Sequence, residues 1–368
     1  MKVMHLIPSL SSGGVEQVVL ELCQGMQAHG VENVVVSAGG PMVKAIEEAG
    51  AKHYTRPIGK KRPATLLQAW KLVRLLRSER PDILHVHSRV PAWVARLALW
   101  LLPAKERPVL VSTFHGFYSV NAYSRIMTHG DAVIAVSNSM REHILSNYAG
   151  VPAERIHTIP NSVDSARCYP GFSPSAEWMN RWQQEHPELK GKYTLCLAGR
   201  ITRLKGCTHL SPILAGLLRR GIPAHAVIVG ETKRGKEKIR HEIEQAFAAE
   251  GLEAHVSWLG HRLDLREVLC VCDVTLSLTL QPESFGKTTL EALALGRPVA
   301  GYAHGGVGEQ LEQFLPEGMI PVGDTDAMVA RLAEWYHTPP SLKQPVGSPY
   351  KRQDMIDAHL ALYRQILS

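Results

Sequence analysis

Long apolar runs are missing from this chain of 368 residues. A helix that crosses a bilayer needs about 20 consecutive apolar residues. The longest candidate, Val90 to Leu102, is shorter and is broken by Arg96. No secretion signal is visible either: only Lys2 precedes the brief run Val3–Leu10, and Ser11-Ser12-Gly13-Gly14 follows at once. Cysteine is sparse. Cys23, Cys168, Cys196, Cys207, Cys270 and Cys272 form no C-x-x-C pair. That argues against a disulfide framework or a zinc site and for reduced, buried thiols. Collagen periods, heptad runs and low-complexity tracts are absent, and 45% apolar with 20% charged residues excludes general disorder. Together these features predict a cytoplasmic globular protein.

Charge is present but lopsided. Residues 1–168 hold 19 Lys+Arg against 12 Asp+Glu, whereas residues 169–368 hold 22 of each, so the whole formal excess of +7 lies in the first half. This predicts an anionic partner there (an acidic substrate, a membrane surface or nucleic acid) unless the surface is simply basic and soluble. No nucleic-acid module or interleaved aromatic platform is visible, so nucleic acid is not expected.

The length predicts two domains. In the first half, β-branched runs at Lys2–Pro8, Asn33–Ser37, Asp82–His87, Val109–Thr113 and Ala132–Val136 alternate with helical patterns such as Val15–His29 and Thr65–Glu79. Such alternation predicts an α/β fold with a parallel sheet and helices on both faces. Pro170, Gly171, Pro174 and Pro187 break the rhythm. The expected division is a first domain at 1–168, a linker at 169–190, a second domain at 191–345 and a closing segment at 346–368. The alternation restarts with strands at Thr194–Ala198, His225–Val229, Val256–Leu259, Val274–Leu278 and Pro298–Tyr302, and ends on a helix at Lys351–Leu367. Two doubly wound sheets are expected to leave a cleft between them, with ligands beyond the carboxyl ends of the strands.

Four segments at such ends carry chemistry. Ser11-Ser12-Gly13-Gly14 precedes a helix, where backbone N–H groups suit a phosphate or sugar; G-x-G-x-x-G is absent. Arg200 ends a strand, and Lys205 follows five residues on. Guanidinium and ammonium together suit a diphosphate. The stretch Pro282-Glu283-Ser284-Phe285-Gly286-Lys287-Thr288-Thr289-Leu290-Glu291 opens another helix, and its carboxylates suit sugar or ribose hydroxyls. His304-Gly305-Gly306-Val307-Gly308-Glu309 is a second glycine-rich turn into a helix.

As a set, these segments resemble a retaining glycosyltransferase of the GT-B fold, similar to glycosyltransferase family 4. Gly13-Gly14-Val15-Glu16 resembles that family's N-terminal loop, and Ile159-Pro160-Asn161-Ser162-Val163-Asp164 its I-P-N-G-V-D turn. Gly199-Arg200 with Lys205-Gly206, the two-glutamate stretch and Gly305-Gly306 with Glu309 follow in order. The resemblance implies two Rossmann-like domains facing each other across a cleft, with the C-terminal helix crossing back to the first. His115 would lie beside the reacting carbon, Arg200 and Lys205 on the diphosphate, Glu283 on the donor sugar and Glu291 on the ribose. Gly14, Ser284, Phe285, Gly286, Lys287 and Thr288 would complete the donor site, with Gly230, Gly260 and His261 near the base. Gly230-Glu231-Thr232 lacks the second glycine common there, Ser162 stands where glycine is usual, and Lys287 replaces a residue that is more often apolar.

The resemblance further implies transfer from a nucleoside-diphosphate-sugar with retention and no metal or other cofactor. The alternatives are a sugar-nucleotide epimerase of the same fold and a catalytically silent scaffold. The basic first half, with Lys60-Lys61-Arg62, Arg74, Arg77 and Arg80, and the Trp93- and Trp100-bearing stretch Val90–Leu102, suggest an anionic, lipid-linked acceptor. A lipopolysaccharide core fits, reached by peripheral contact with the inner face of the cytoplasmic membrane. His85 and His87 form H-x-H with no third ligand evident, so metal is not expected. His5 and His129 read as core or turn residues. Asp324-Thr325-Asp326 reads as a helix cap rather than a metal pair.

Overall fold

The computed structural model describes residues 1–11, 13–232, 235 and 237–368. Ser12 of the opening loop lies outside the described residues. The chain forms two compact units, residues 1–162 with 348–368, and residues 163–347.

The first unit holds a seven-stranded parallel sheet: β1 (Lys2–Leu6), β2 (Glu32–Ser37), β3 (Lys52–Thr55), β4 (Ile83–Val86), β5 (Val109–Phe114), β6 (Ala132–Ala135) and β7 (Ile156–Thr158). Its order is β3-β2-β1-β4-β5-β6-β7. The central strands are buried on both faces, which is why they read as continuous Val/Ile/Leu runs. Short β3 and β7 escape sequence reading because neither carries such a run. One face packs against the helices Gln68–Glu79 and Arg89–Leu101. The other face packs against Gly14–Gln27 and the closing helix Arg352–Leu367, whose Met355, Ile356, Leu360 and Tyr363 join Val3, Leu22 and Ile83 in one core.

The second unit holds β8 (Tyr193–Ala198), β9 (Ala224–Val229), β10 (Val256–Gly260), β11 (Val274–Ser277), β12 (Val299–Tyr302) and β13 (Met319–Ile320), in the order β10-β9-β8-β11-β12-β13. Residues 169–190, expected as a linker, contain the helix Ala176–Glu185. Trp178 and Trp182 of this helix are buried within the second unit, and Trp178 Nε1 donates to Asp264 at 2.7 Å. The prolines that suggested a linker flank this helix rather than dissolve it. All six cysteines are buried and free.

Candidate active site

Open α/β sheets bind ligands where the strand order reverses. In the second unit that point lies between β8 and β11, and Arg200 follows β8 while Glu283 lies in the loop after β11. Gly199, Arg200, Lys205, Thr279, Glu283, Gly286 and Thr288 line one pocket there. Lys205 closes the turn Arg203–Lys205, which is capped by Thr202: its Oγ1 accepts from the Lys205 N–H at 3.2 Å. Lys205 Nζ donates to Glu283 Oε1. Thr279 Oγ1 donates to the same oxygen at 2.6 Å, and His304 Nε2 donates to the Thr279 carbonyl at 2.7 Å. Burial alone would raise the Glu283 carboxyl. The charge and hydrogen bond of Lys205, with the Thr279 hydroxyl, more than offset it and hold Glu283 below its ordinary range. The pocket therefore presents an ionised carboxylate and two cations.

The third and fourth segments, read separately in sequence, are one structure. The Gly306 N–H donates to the Glu283 carbonyl at 2.8 Å, and Gln310 Nε2 donates to the Phe285 carbonyl at 2.7 Å. A Cβ on Gly305 would lie 2.5 Å from the Glu283 carbonyl oxygen, and one on Gly306 would lie 2.5 Å from that of Phe285. The glycine pair lets one loop carry the other.

The remaining candidates divide. Gly286 caps the helix Lys287–Ala294, and Thr288 lines the pocket with it. Phe285 is buried, while Ser284, Phe285 and Lys287 lie outside the pocket lining. Glu291, one turn into the helix, is half-buried and also outside that lining. Burial, and then the Glu291 charge, push the Cys168 thiol up to about 11. Gly230 follows β9: its N–H donates to the Gly260 carbonyl at 2.7 Å, and a Cβ there would sit 1.9 Å from the Gly199 carbonyl oxygen. Three glycines thus meet at the ends of β8, β9 and β10, and His261 next to them is exposed.

In the first unit, Gly14 opens the helix Gly14–Gln27, and Ser11 Oγ donates to Glu16 at 2.9 Å. His115 follows β5, half-buried, with its Nε2 3.0 Å from His87 Nδ1. His5 and His85 are direct cross-strand neighbours, so β1 supplies the third ring that H-x-H lacked in sequence. His5, His85 and His87 bring nitrogens within 4.8 Å of one another. A polar residue absent from sequence reasoning also appears: buried Glu21 accepts from Ser162 Oγ at 3.1 Å, so the serine in place of glycine has a partner. Asp324 caps the helix Thr325–His337, its carboxylate accepting from the Ala327 N–H at 2.8 Å.

The basic first half is organised differently from the expectation. Arg89–Leu101 is chiefly a core helix, with Val94, Ala95, Ala98 and Leu99 buried; Trp93 Nε1 donates to the Tyr123 carbonyl at 3.0 Å. Only the outer face, with Trp100 71% exposed, fits the interfacial reading. Arg77 is paired with Glu106 at 2.8 Å. The apolar surface lies instead at Leu66, Leu67 and Trp70, which sequence reading passed over; Leu67 is 65% and Trp70 63% exposed. Next to it, Lys60, Lys61, Arg62, Leu66, Val90, Trp93 and Tyr123 line a hollow.

Comparison with known proteins gives the chain's family and fold. Residues 12–167 match the family model Glycosyltransferase Family 4, and residues 179–352 match Glycosyl transferases group 1. The chain is 27% identical over 268 residues to alpha-maltose-1-phosphate synthase of Mycolicibacterium smegmatis, covering 69% of this chain and 62% of that protein. It is 28% identical over 349 residues to phosphatidyl-myo-inositol mannosyltransferase of Mycobacterium leprae, covering 87% and 84%. Among solved structures, a glycosyltransferase from Rickettsia africae aligns with a TM-score of 0.85 at 22% identity, covering 100% of this chain and 98% of that one. Fold and matches together define the class: a glycosyltransferase of the GT-B type. Within that class the chain belongs to the group 1 glycosyltransferases of family 4.

Proposed function

We propose that the protein moves a sugar from a nucleoside-diphosphate-sugar to an anionic, lipid-linked acceptor, with retention of anomeric configuration and no metal ion. The observation that carries this reading is the Lys205–Glu283 ion pair, with Arg200 lining the same pocket, at the strand-order reversal. Breaking a glycosyl–phosphate bond builds positive character on the sugar and negative charge on the leaving diphosphate. Arg200 and Lys205 meet that charge as preorganised cations, which makes the catalysis electrostatic. Glu283 accepts from hydroxyls of the donor sugar, and Glu291 takes the ribose. Gly230, Gly260 and His261 are assigned to the base on the family resemblance. His115 keeps the role that the family resemblance implies for it. The acceptor's proton passes to the departing phosphate oxygen, so no protein nucleophile is required.

The acceptor reading rests on the hollow flanked by Lys60, Lys61 and Arg62 and on the neighbouring Leu66, Leu67 and Trp70. Cations beside exposed apolar side chains suit a phosphate-bearing lipid at a membrane surface. The relative named for phosphatidyl-myo-inositol supports such an acceptor class. The test is release of nucleoside diphosphate from a panel of sugar nucleotides, with and without an extract of bacterial envelope lipids. Release that depends on the extract, with the product's anomeric configuration matching the donor's by NMR, supports the reading. Release at the same rate without lipid removes the lipid acceptor, and inversion removes retention.

A further inference from the structure

The second unit has a hollow at the end of its sheet opposite the donor-pocket loops. Tyr193 opens β8, Val274 opens β11 and Pro298 directly precedes β12, so the amino ends of three neighbouring strands meet there. Trp335 and Tyr336 of the helix Thr325–His337 complete the wall, followed by Pro339 and Pro340. The hollow measures about 440 Å³, inside the range of roughly 300–1,000 Å³ usual for small-molecule sites.

Four polar groups in its lining are unsatisfied. Tyr193 and Trp335 are buried, yet neither the Tyr193 hydroxyl nor the Trp335 Nε1–H meets a hydrogen-bond partner among the described residues. Folded proteins leave few buried polar atoms unpaired, so two in one hollow need a reason. Burial, and then the Asp273 charge, push the Tyr193 hydroxyl up, so it keeps its hydrogen at neutral pH. Lys192 and Arg297, both half-buried, line the same hollow. Neither has a carboxylate partner among the described residues; the Arg297 guanidinium reaches only the Cys270 sulfur, at 3.7 Å. Asp273 is the one carboxylate among the described lining residues, and it is taken. Its Oδ2 accepts from the Thr194 N–H and from the Thr194 hydroxyl, each at 2.7 Å.

These groups define a ligand. Two cations suit a phosphate or a carboxylate. Two buried donors beside them suit further oxygens. Tyr336, set edge-on to Tyr193 at 5.3 Å, and the two prolines add flat apolar surface, which suits the C–H face of a sugar ring. An inorganic ion would leave that surface and the buried donors unused. A second hollow of about 620 Å³ adjoins, sharing Lys192 and Asp273 and reaching Trp182, His186 and Lys190, so more than one ring has room.

We propose that this hollow binds an acidic saccharide, one that carries a phosphate or a carboxylate, at a site separate from the donor pocket. Lys192 and Arg297 hold the anionic group, and Tyr193 and Trp335 donate to sugar oxygens. Recognition stands on this lining alone. Its consequence rests on the transferase reading: a glycan held on the second unit has a raised effective concentration for transfer.

The test is NMR of the full chain labelled with 15N-tryptophan, without nucleotide, with the Trp335 indole signal assigned by its loss in Trp335→Phe. The probes are glucose 6-phosphate, glucuronate, glucose and inorganic phosphate. The expected result is a saturable shift of the Trp335 signal with an acidic sugar. Lys192→Ala and Arg297→Ala should each weaken that binding about tenfold, the order expected for one hydrogen bond to a charged group. Tyr193→Phe, which keeps the ring and removes only the hydroxyl, should weaken it as well. The shift should persist in Arg200→Ala. No shift with either acidic sugar overturns the proposal, as does full-strength binding in both charge variants. An equal shift with glucose removes the role of the cations, and an equal shift with inorganic phosphate makes the hollow an ion site; each overturns it too. Loss of the shift in Arg200→Ala would trace it to the donor pocket and overturn the separate site. Because the signal is read without nucleotide, its failure leaves donor binding standing, and failure of nucleotide binding leaves this titration unchanged.

Discussion

A single ion pair sets the charge of the candidate pocket. Lys205 is held on Glu283, and the Thr279 hydroxyl holds the same carboxylate oxygen. Two charges held at fixed positions before the substrate arrives need little reorganisation when charge develops. Arg200→Ala and Lys205→Ala should each lower turnover by ~10²-fold or more, as for other deletions of a preorganised donor. Normal turnover in both variants would remove the electrostatic assignment. Lys205→Ala also strands a largely buried carboxylate, so its stability must be measured alongside. A second residue-scale expectation concerns Ser162. Its hydroxyl donates to buried Glu21, and an intramolecular hydrogen bond contributes about 0.5–1.5 kcal/mol net. Ser162→Ala should destabilise the protein by that order in chemical denaturation. An unchanged midpoint would show that Glu21 is satisfied without it.

Loops at strand ends carry the site, and they explain what sequence could and could not reveal. Most central strands were legible because burial on both faces demands unbroken apolar runs, as in Val34–Val36 or Val133–Ile134. The chemistry-bearing loops were legible because Arg200, Lys205 and Glu283 are residue types with few other reasons to cluster there. The dependence of one loop on another was not legible. Gly305-Gly306 is local in sequence, yet its purpose is the backbone of Glu283 and Phe285, reached only after folding. The convergence of the buried histidines was hidden for the same reason: the cross-strand pairing of His5 with His85 is a matter of register. Exposed Trp70 was missed because one residue on an otherwise amphipathic helix leaves no periodic signal. Gly306→Ala should displace the Glu283 loop. The expected outcome is a protein that folds, with circular dichroism unchanged, but binds its nucleotide at least tenfold more weakly. Unchanged affinity would mean that the loop tolerates the added methyl.

For the molecule as a whole, the buried histidines set an acid limit. Desolvation holds His5 and His359 to about 4 and takes His85 and His87 well below their ordinary value. Above about pH 6.5 these rings are neutral whether the chain is folded or not, so they cost nothing. Between about 6.5 and 4 the unfolded chain binds protons that the folded chain refuses, and stability falls as pH falls. The slope is about 1.4 kcal/mol per pH unit for each such ring. Thermal unfolding between pH 7 and 5 should therefore show a steep loss, reduced in His359→Leu; a flat profile would mean the rings protonate within the fold. The central claim is donor binding by the second unit. Its most direct test is thermal unfolding with UDP, GDP, ADP, dTDP and CDP, on the native chain and on Arg200→Ala. A ligand at ~100 times its dissociation constant adds about 2.7 kcal/mol. The account predicts a clear upward shift with one nucleotide, lost in Arg200→Ala. No shift with any of the five, or a shift that Arg200→Ala keeps in full, would contradict it.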